Sequence, residues 1–201
     1  MASLDMSEIG TRIETAHGAS ALHRSLAELE AGLITLPLAS RDSGRLAYIV
    51  RRPSKEAREV LRVARLSPEE GLPGDNWSRK PSPDPTAQLT VMSLDLARLI
   101  ANGQSLALFG DNLFVDLDLS AENLPIGSRL RVGGAVVEVT PMPHDGCSKF
   151  KARFGNAALR FVNAKPTRHL NLRGIYWRVI EAGEIEVGSP IQVLSRPGLP
   201  A

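Results

Sequence analysis

Residues 130–139, Leu130-Arg131-Val132-Gly133-Gly134-Ala135-Val136-Val137-Glu138-Val139, read as two short strands folded about a Gly-Gly turn. β-Branched side chains suit a pleated, half-buried surface. Gly133-Gly134 can take the positive backbone angles that a two-residue hairpin turn demands. Working outward, residues 46–50 (Leu46-Ala47-Tyr48-Ile49-Val50), 88–92, 113–117, 175–181 and 190–195 repeat this strand character between turn residues, with Ala182-Gly183 linking the last two. Short helices interleave. Pro53-Ser54 opens one, with Ala57, Val60, Leu61 and Ala64 as its apolar stripe; Ser93 caps a second, with Leu96, Leu99 and Ile100 on one face and Asn102-Gly103 as its stop; a third falls near 156–162. The pattern predicts a mainly β fold with short helices, an antiparallel β-barrel.

The flanks read differently. Over residues 1–30, Ile9, Ile13, Ala16, Leu22, Leu26 and Leu29 recur at helical spacing, interrupted at Gly18. This predicts a helical extension that covers one barrel end, with a docking or homodimer contact as the alternative. Residues 31–38 resemble a first barrel strand, so the barrel is expected over 31–195 and a frayed tail over 196–201. Residues 66–85 carry five prolines and no periodicity. A loop of that length is commonly functional, and it is expected to border a site.

Composition narrows the function. A net charge of +2 over 201 residues gives no field for nucleic acid or an anionic membrane. No apolar run reaches the roughly 20 residues of a spanning helix, and the first twenty residues lack the pattern of a secretory leader. A cytoplasmic protein is expected. The single cysteine, Cys147, cannot form an internal disulfide.

Cys147 follows Pro141, Pro143 and Gly146, with His144 just before it and Lys149, Lys151 and Arg153 just after. Nearby cations favour a thiolate, the form that attacks or binds soft metals. An inert buried thiol is the competing reading. The four histidines show no paired spacing, and neither Cys-x-x-Cys nor His-Glu-x-x-His occurs, which argues against a zinc site. A papain-like pair would need His144 or His169 beside Cys147. Gly-x-Gly-x-x-Gly and Walker loops are absent. Gly71-Leu72-Pro73-Gly74-Asp75 could offer amides to an anion, and Arg168, His169, Asn171 and Arg173 form a basic cluster whose default reading is an exposed face.

Taken in order, several segments resemble the MOSC domain, named for the C-terminal domain of molybdenum-cofactor sulfurases. They are Gly71-Leu72-Pro73-Gly74-Asp75, Gly110-Asp111-Asn112-Leu113, the run from Leu124-Pro125-Ile126-Gly127 to Gly133, the loop Pro143-His144-Asp145-Gly146-Cys147-Ser148-Lys149-Phe150, and Leu172-Arg173-Gly174-Ile175-Tyr176 followed by Val187-Gly188-Ser189. The resemblance covers about residues 70–195. It implies a MOSC-type barrel that binds the molybdenum cofactor (molybdopterin), with Cys147 as sulfur acceptor or molybdenum ligand. By the same resemblance Lys149, Arg153 and Arg173 supply charge for the cofactor phosphate, and Asn112 and His144 line the pocket. Some relatives reduce N-hydroxylated compounds. This chain shows no pyridoxal-phosphate desulfurase domain, so a stand-alone bacterial-type member is implied, dependent on a separate desulfurase or electron-transfer protein. The alternative is a cofactor chaperone or an interaction module with a degenerate pocket. Two departures stand out: Asn76 follows Asp75 where the family often has arginine, a place that Arg79 could fill, and Ser189 replaces a final aspartate.

Overall fold

The computed structural model describes residues 7–14 and 17–198. Its centre is a closed seven-stranded barrel. In ring order the strands are β2 (Ser43–Arg51), β11 (Pro190–Ser195), β7 (Arg129–Val132), β8 (Ala135–Val139), β9 (Ile175–Glu181), β5 (Leu89–Ser93) and β6 (Leu113–Asp116), which returns to β2. Closure removes the exposed edges that an open sheet must protect. Six of the seven pairings are antiparallel, as expected. The seventh, β5 with β6, is parallel. Parallel neighbours need a crossover, here the helix α2 (Leu94–Ala101), so the barrel is mixed.

Two-residue periodicity divides the apolar side chains between two cores. Leu46, Ile49, Leu89, Val91, Leu113, Val115, Val137 and Trp177 fill the barrel. Their neighbours Tyr48, Val50, Met92 and Phe114 face outward and are buried under α1 (Leu26–Thr35), α2 and α3 (Ser148–Val162). Strands buried on both faces read as continuous apolar runs, which is why Leu46-Ala47-Tyr48-Ile49-Val50 lacks alternation.

Several expectations need correction. Residues 57–66 are two strands, β3 (Ala57–Leu61) and β4 (Val63–Leu66), rather than a helix. β3 pairs with the far end of β2, and Arg51 on β2 makes a 2.6 Å ion pair with Glu59 on β3; β4 pairs with β10 (Gly183–Glu186) beyond the barrel. A weak local stripe lost to a ladder. In the N-terminal segment, Arg12–Glu14 forms a strand, β1, against β3; Met1–Met6, Thr15 and Ala16 lie outside the described residues. The helix starts later, at a capping box in which Ser25 accepts from the Glu28 amide while the Ser25 amide donates to the Glu28 carboxylate. It therefore runs through the stretch expected to be a first strand. Within α3, Gly155 at φ +88° is non-helical and divides the element in two: the segment after it, 156–162, is the helix expected, and the segment before it, 148–154, was not expected. Arg196 is not frayed: its guanidinium donates to the carbonyls of Asn123 and Arg41 and pairs with Asp42, while residues 199–201 lie outside the described ones.

Truncating the barrel's largest buried side chain should be costly. Trp177→Ala is expected to lose about 3–5 kcal/mol in urea unfolding, whereas Ile34→Ala, at a site 84% exposed, should stay within about 0.5 kcal/mol.

Candidate functional site

The open ends of β2, β5 and β6 meet at a buried polar node. Asn112, just before β6, accepts at Oδ1 from the Thr90 amide and hydroxyl and from the Arg52 guanidinium. Its Nδ2 donates to the Val50 carbonyl and to Asp75. Both ends of the amide are thus committed inside the protein. Asn112 is a framework residue and not the pocket-lining contact expected of it.

Asp75 is the partner that this node holds. It lies in the proline-rich loop, 1% exposed, and takes three hydrogen bonds of 2.8–2.9 Å from the backbone and side chain of Arg52. Burial pushes the Asp75 carboxyl up, but the bonds and charge of Arg52 outweigh burial and hold it below the usual carboxylate range. Through this side chain the proline-rich loop, 66–85, reaches the node.

Next to the node, Asp111 is fully buried and accepts a 2.6 Å hydrogen bond from Arg173, whose guanidinium also lies 5.1 Å from the centre of the Phe150 ring. Burial pushes Asp111 up against the pull of Arg173. The other oxygen of Asp111, Oδ1, has no hydrogen-bond partner and faces His144 Nε2 at 3.6 Å. The His144 ring rests against Tyr176, with centroids 4.7 Å apart. Burial, and then the charges of Arg173 and Arg52, hold His144 well below its ordinary pKa, so the ring is neutral at pH 7.

Arg58, on β3, and Arg153, on α3, complete the cluster. Both are almost fully buried. Burial first, and then the like charges of Arg153 and Arg52, lower Arg58 to about 10. Four guanidiniums (Arg52, Arg58, Arg153, Arg173) and three carboxylates (Glu56, Asp75, Asp111) thus lie within electrostatic reach of one another. The cluster carries surplus positive charge. The Nε atoms of Arg58 and Arg173 are buried without a hydrogen-bond acceptor.

Cys147 borders this cluster and is exposed. The expectation of a buried thiol does not hold. Cys147 lies within electrostatic reach of both Arg153 and Tyr176. The loop is pinned by Asn163, whose side chain accepts from the Gly146 amide and donates to the Gly146 carbonyl. Gly146 fits because a Cβ there would meet Leu159 at 2.9 Å and Val162 at 3.0 Å. The structure therefore brings Cys147, His144, Arg153 and Arg173 together. Lys149 and Lys151 sit exposed on the first turns of α3, and His169 is not part of the cluster. Sequence reasoning missed Arg52, Arg58 and Tyr176. Asp111 stood in a quoted motif without a role; its place between turn-forming Gly110 and Asn112 was the available signal.

Among the described residues, no group of three or more His, Cys, Asp or Glu side chains could hold a metal ion by themselves. No helix among the described residues is long and apolar enough to cross a membrane.

Residues 93–192 match the family model of the MOSC domain. A curated relative, the uncharacterized protein YflK of Bacillus subtilis (strain 168), is 34% identical over 101 residues, which cover 50% of this chain and 41% of that protein. The chain thus aligns to less than half the length of this relative. Two solved structures share the fold. The crystal structure of YiiM from Escherichia coli superposes with a TM-score of 0.52 at 22% identity, over 76% of this chain and 70% of that one. The YUAD protein from Bacillus subtilis gives 0.56 at 17% identity, over 75% of this chain and 95% of that one.

Two outcomes are expected. Asp75→Asn leaves Arg52 buried without its counter-charge and should cost roughly 3 kcal/mol in chemical denaturation. Because the unfolded chain protonates His144 near pH 6.5 and the fold resists it, stability should fall as pH drops from 7 toward 5. His144→Gln should flatten that fall in melting temperature. The opposing upward shift of Asp111 is present in both proteins, so the difference between them reads His144.

Proposed function

The chain belongs to the MOSC domain family, and from that premise we propose that it binds the molybdenum cofactor, with Cys147 as the protein's sulfur ligand to molybdenum. One observation carries the reading: an exposed sulfur stands at the border of a buried cluster with more arginine than carboxylate. A pterin dithiolene with a phosphate tail needs a soft donor for its metal and fixed cations for its anionic end. The unpartnered Nε atoms of Arg58 and Arg173 are donors of the kind that tail requires, and burying them without an acceptor is costly.

In this reading Cys147 holds the metal, Arg153 and Arg173 hold the cofactor's anionic part, and Lys149 adds charge at the entrance. His144 and Tyr176 border the reacting side. When bound, the cofactor supplies two-electron redox chemistry of the kind used to reduce N-hydroxylated compounds. Electrons then come from a separate electron-transfer protein, in the cytoplasm. The protein's own part is to orient the cofactor, fix its charge and keep His144 neutral. Reception of sulfur on Cys147 from a desulfurase, in a carrier or chaperone role, is the second reading. It rests on the same exposed thiol.

The test is metal content after expression in a host that makes the cofactor. The parent should carry close to one molybdenum per chain, and Cys147→Ser close to none. Arg153→Met and Arg173→Met should weaken retention by about tenfold while thermal unfolding stays cooperative. A parent free of molybdenum that instead gains a persulfide on Cys147, when supplied with a desulfurase and cysteine, would select the carrier role. A parent that does neither overturns both.

A further inference from the structure

Residues 17–25 run as a strap across α3, and they lie outside the residues 93–192 that match the family model. The strap is tied at two points to the turn that ends α2. The Ala19 amide donates to Gln104 Oε1 at 2.7 Å, and Asn102, the left-handed C-cap of α2, donates from Nδ2 to the Leu22 carbonyl at 3.0 Å. Between these ties and the capping box at Ser25, His23 reaches the break in α3. Its Nε2 lies 3.0 Å from the Arg153 carbonyl oxygen.

Gly155 makes that contact possible. At φ +88° it interrupts the helix, and the last carbonyls before an interruption need partners from elsewhere in the chain. A carbonyl only accepts, so Nε2 carries the proton. Nδ1 faces Gly155, where a Cβ would stand 2.8 Å away. Gly18 is fitted to the same carbonyl: a Cβ there would strike the Arg153 carbonyl oxygen and lie 2.6 Å from Gln104 Oε1. Two glycines thus let the strap and α3 approach more closely than any side chain would allow. The residue held in this way belongs to the site. Arg153 is 4% exposed and stands within electrostatic reach of Cys147, Arg173, Asp111 and Glu56.

We propose that His23 is a positioning residue of the site: by holding the Arg153 carbonyl it sets the bend of α3, and so the place of the Arg153 guanidinium. Segment 148–154 joins 156–162 through one non-helical residue, and the strap supplies a fixed point at that joint. A charged group keeps its geometry only when the backbone and the bonds behind it are held. That Arg153 serves the cofactor's anionic end rests on the proposed function; that His23 fixes Arg153 does not.

Side-chain hydrogen exchange tests this without cofactor. In the full-length protein followed by NMR, the Arg153 Nε proton, assigned by its loss in Arg153→Met, should exchange about tenfold faster in His23→Ala. His23→Gln, whose amide can still donate to the carbonyl, should stay within about twofold of the parent. Gly18→Ala displaces the same carbonyl with His23 intact and should act like His23→Ala; it also gives the reading if His23→Ala fails to fold. The Arg173 Nε proton should be unaffected in all three. Molybdenum retention should fall about tenfold in His23→Ala and recover in His23→Gln. The double variant of His23→Ala and Arg153→Met should retain no less than Arg153→Met alone, because both act through one group. Unchanged Arg153 exchange in His23→Ala and Gly18→Ala, an equal loss in His23→Gln, or losses that add in the double variant overturns the positioning role. A parent without molybdenum overturns the cofactor reading instead, and the exchange rates still decide the role of His23.

Discussion

The amide of Asn112 is the constraint on which the site depends. One side chain joins β2 through the Val50 carbonyl, β5 through Thr90, and the proline-rich loop through Asp75. It also fixes Arg52, which reaches the Gly110 carbonyl on the same turn. Every one of these groups is buried or nearly so, and an unmade bond among them would carry the full cost of desolvation. Barrel closure brings these strand ends together; the polar node sets the positions of the charges built around them.

Those charges are unusual in number and placement. Buried arginines are normally matched one for one, because an unpaired ion in the interior is strongly disfavoured. Here four guanidiniums face three carboxylates, and burial, followed by the like charges of Arg153 and Arg52, lowers Arg58 to about 10. A fold retains such an arrangement at the expense of stability. On the proposed reading the cofactor's anionic end offsets this imbalance, and Cys147 stands at the cluster's border on a loop held by Asn163 at both sides of Gly146. His144 differs in kind: burial keeps it neutral next to a carboxylate and an aromatic ring.

Much of the barrel was legible in the sequence, and the reasons are local. Gly133-Gly134 and its flanking valines specify a hairpin without help from the rest of the chain, and 46–50, 113–117 and 175–181 carry β-branched or aromatic runs. β3 was not legible, because Ala57, Val60 and Leu61 fit a helical stripe and only the distant edge of β2 makes them a strand. The parallel β5–β6 pair was equally hidden, since direction is set by the crossover of α2. At the site, Cys147 and its following cations stood out as neighbours in sequence. Arg52 and Arg58 did not, because Arg52 simply follows a strand and Arg58 fell in a stretch read as a helix, and each becomes significant only when long-range pairing buries it beside Arg153 and Asp75.

The central claim, that Cys147 contributes its sulfur to a molybdenum centre held against the arginine cluster, is tested most directly by X-ray absorption at the molybdenum edge on the loaded protein. One sulfur neighbour beyond the two of a pterin dithiolene is expected in the parent, and next to no molybdenum signal from Cys147→Ser prepared in the same way. Molybdenum in both samples with the same sulfur count would contradict it.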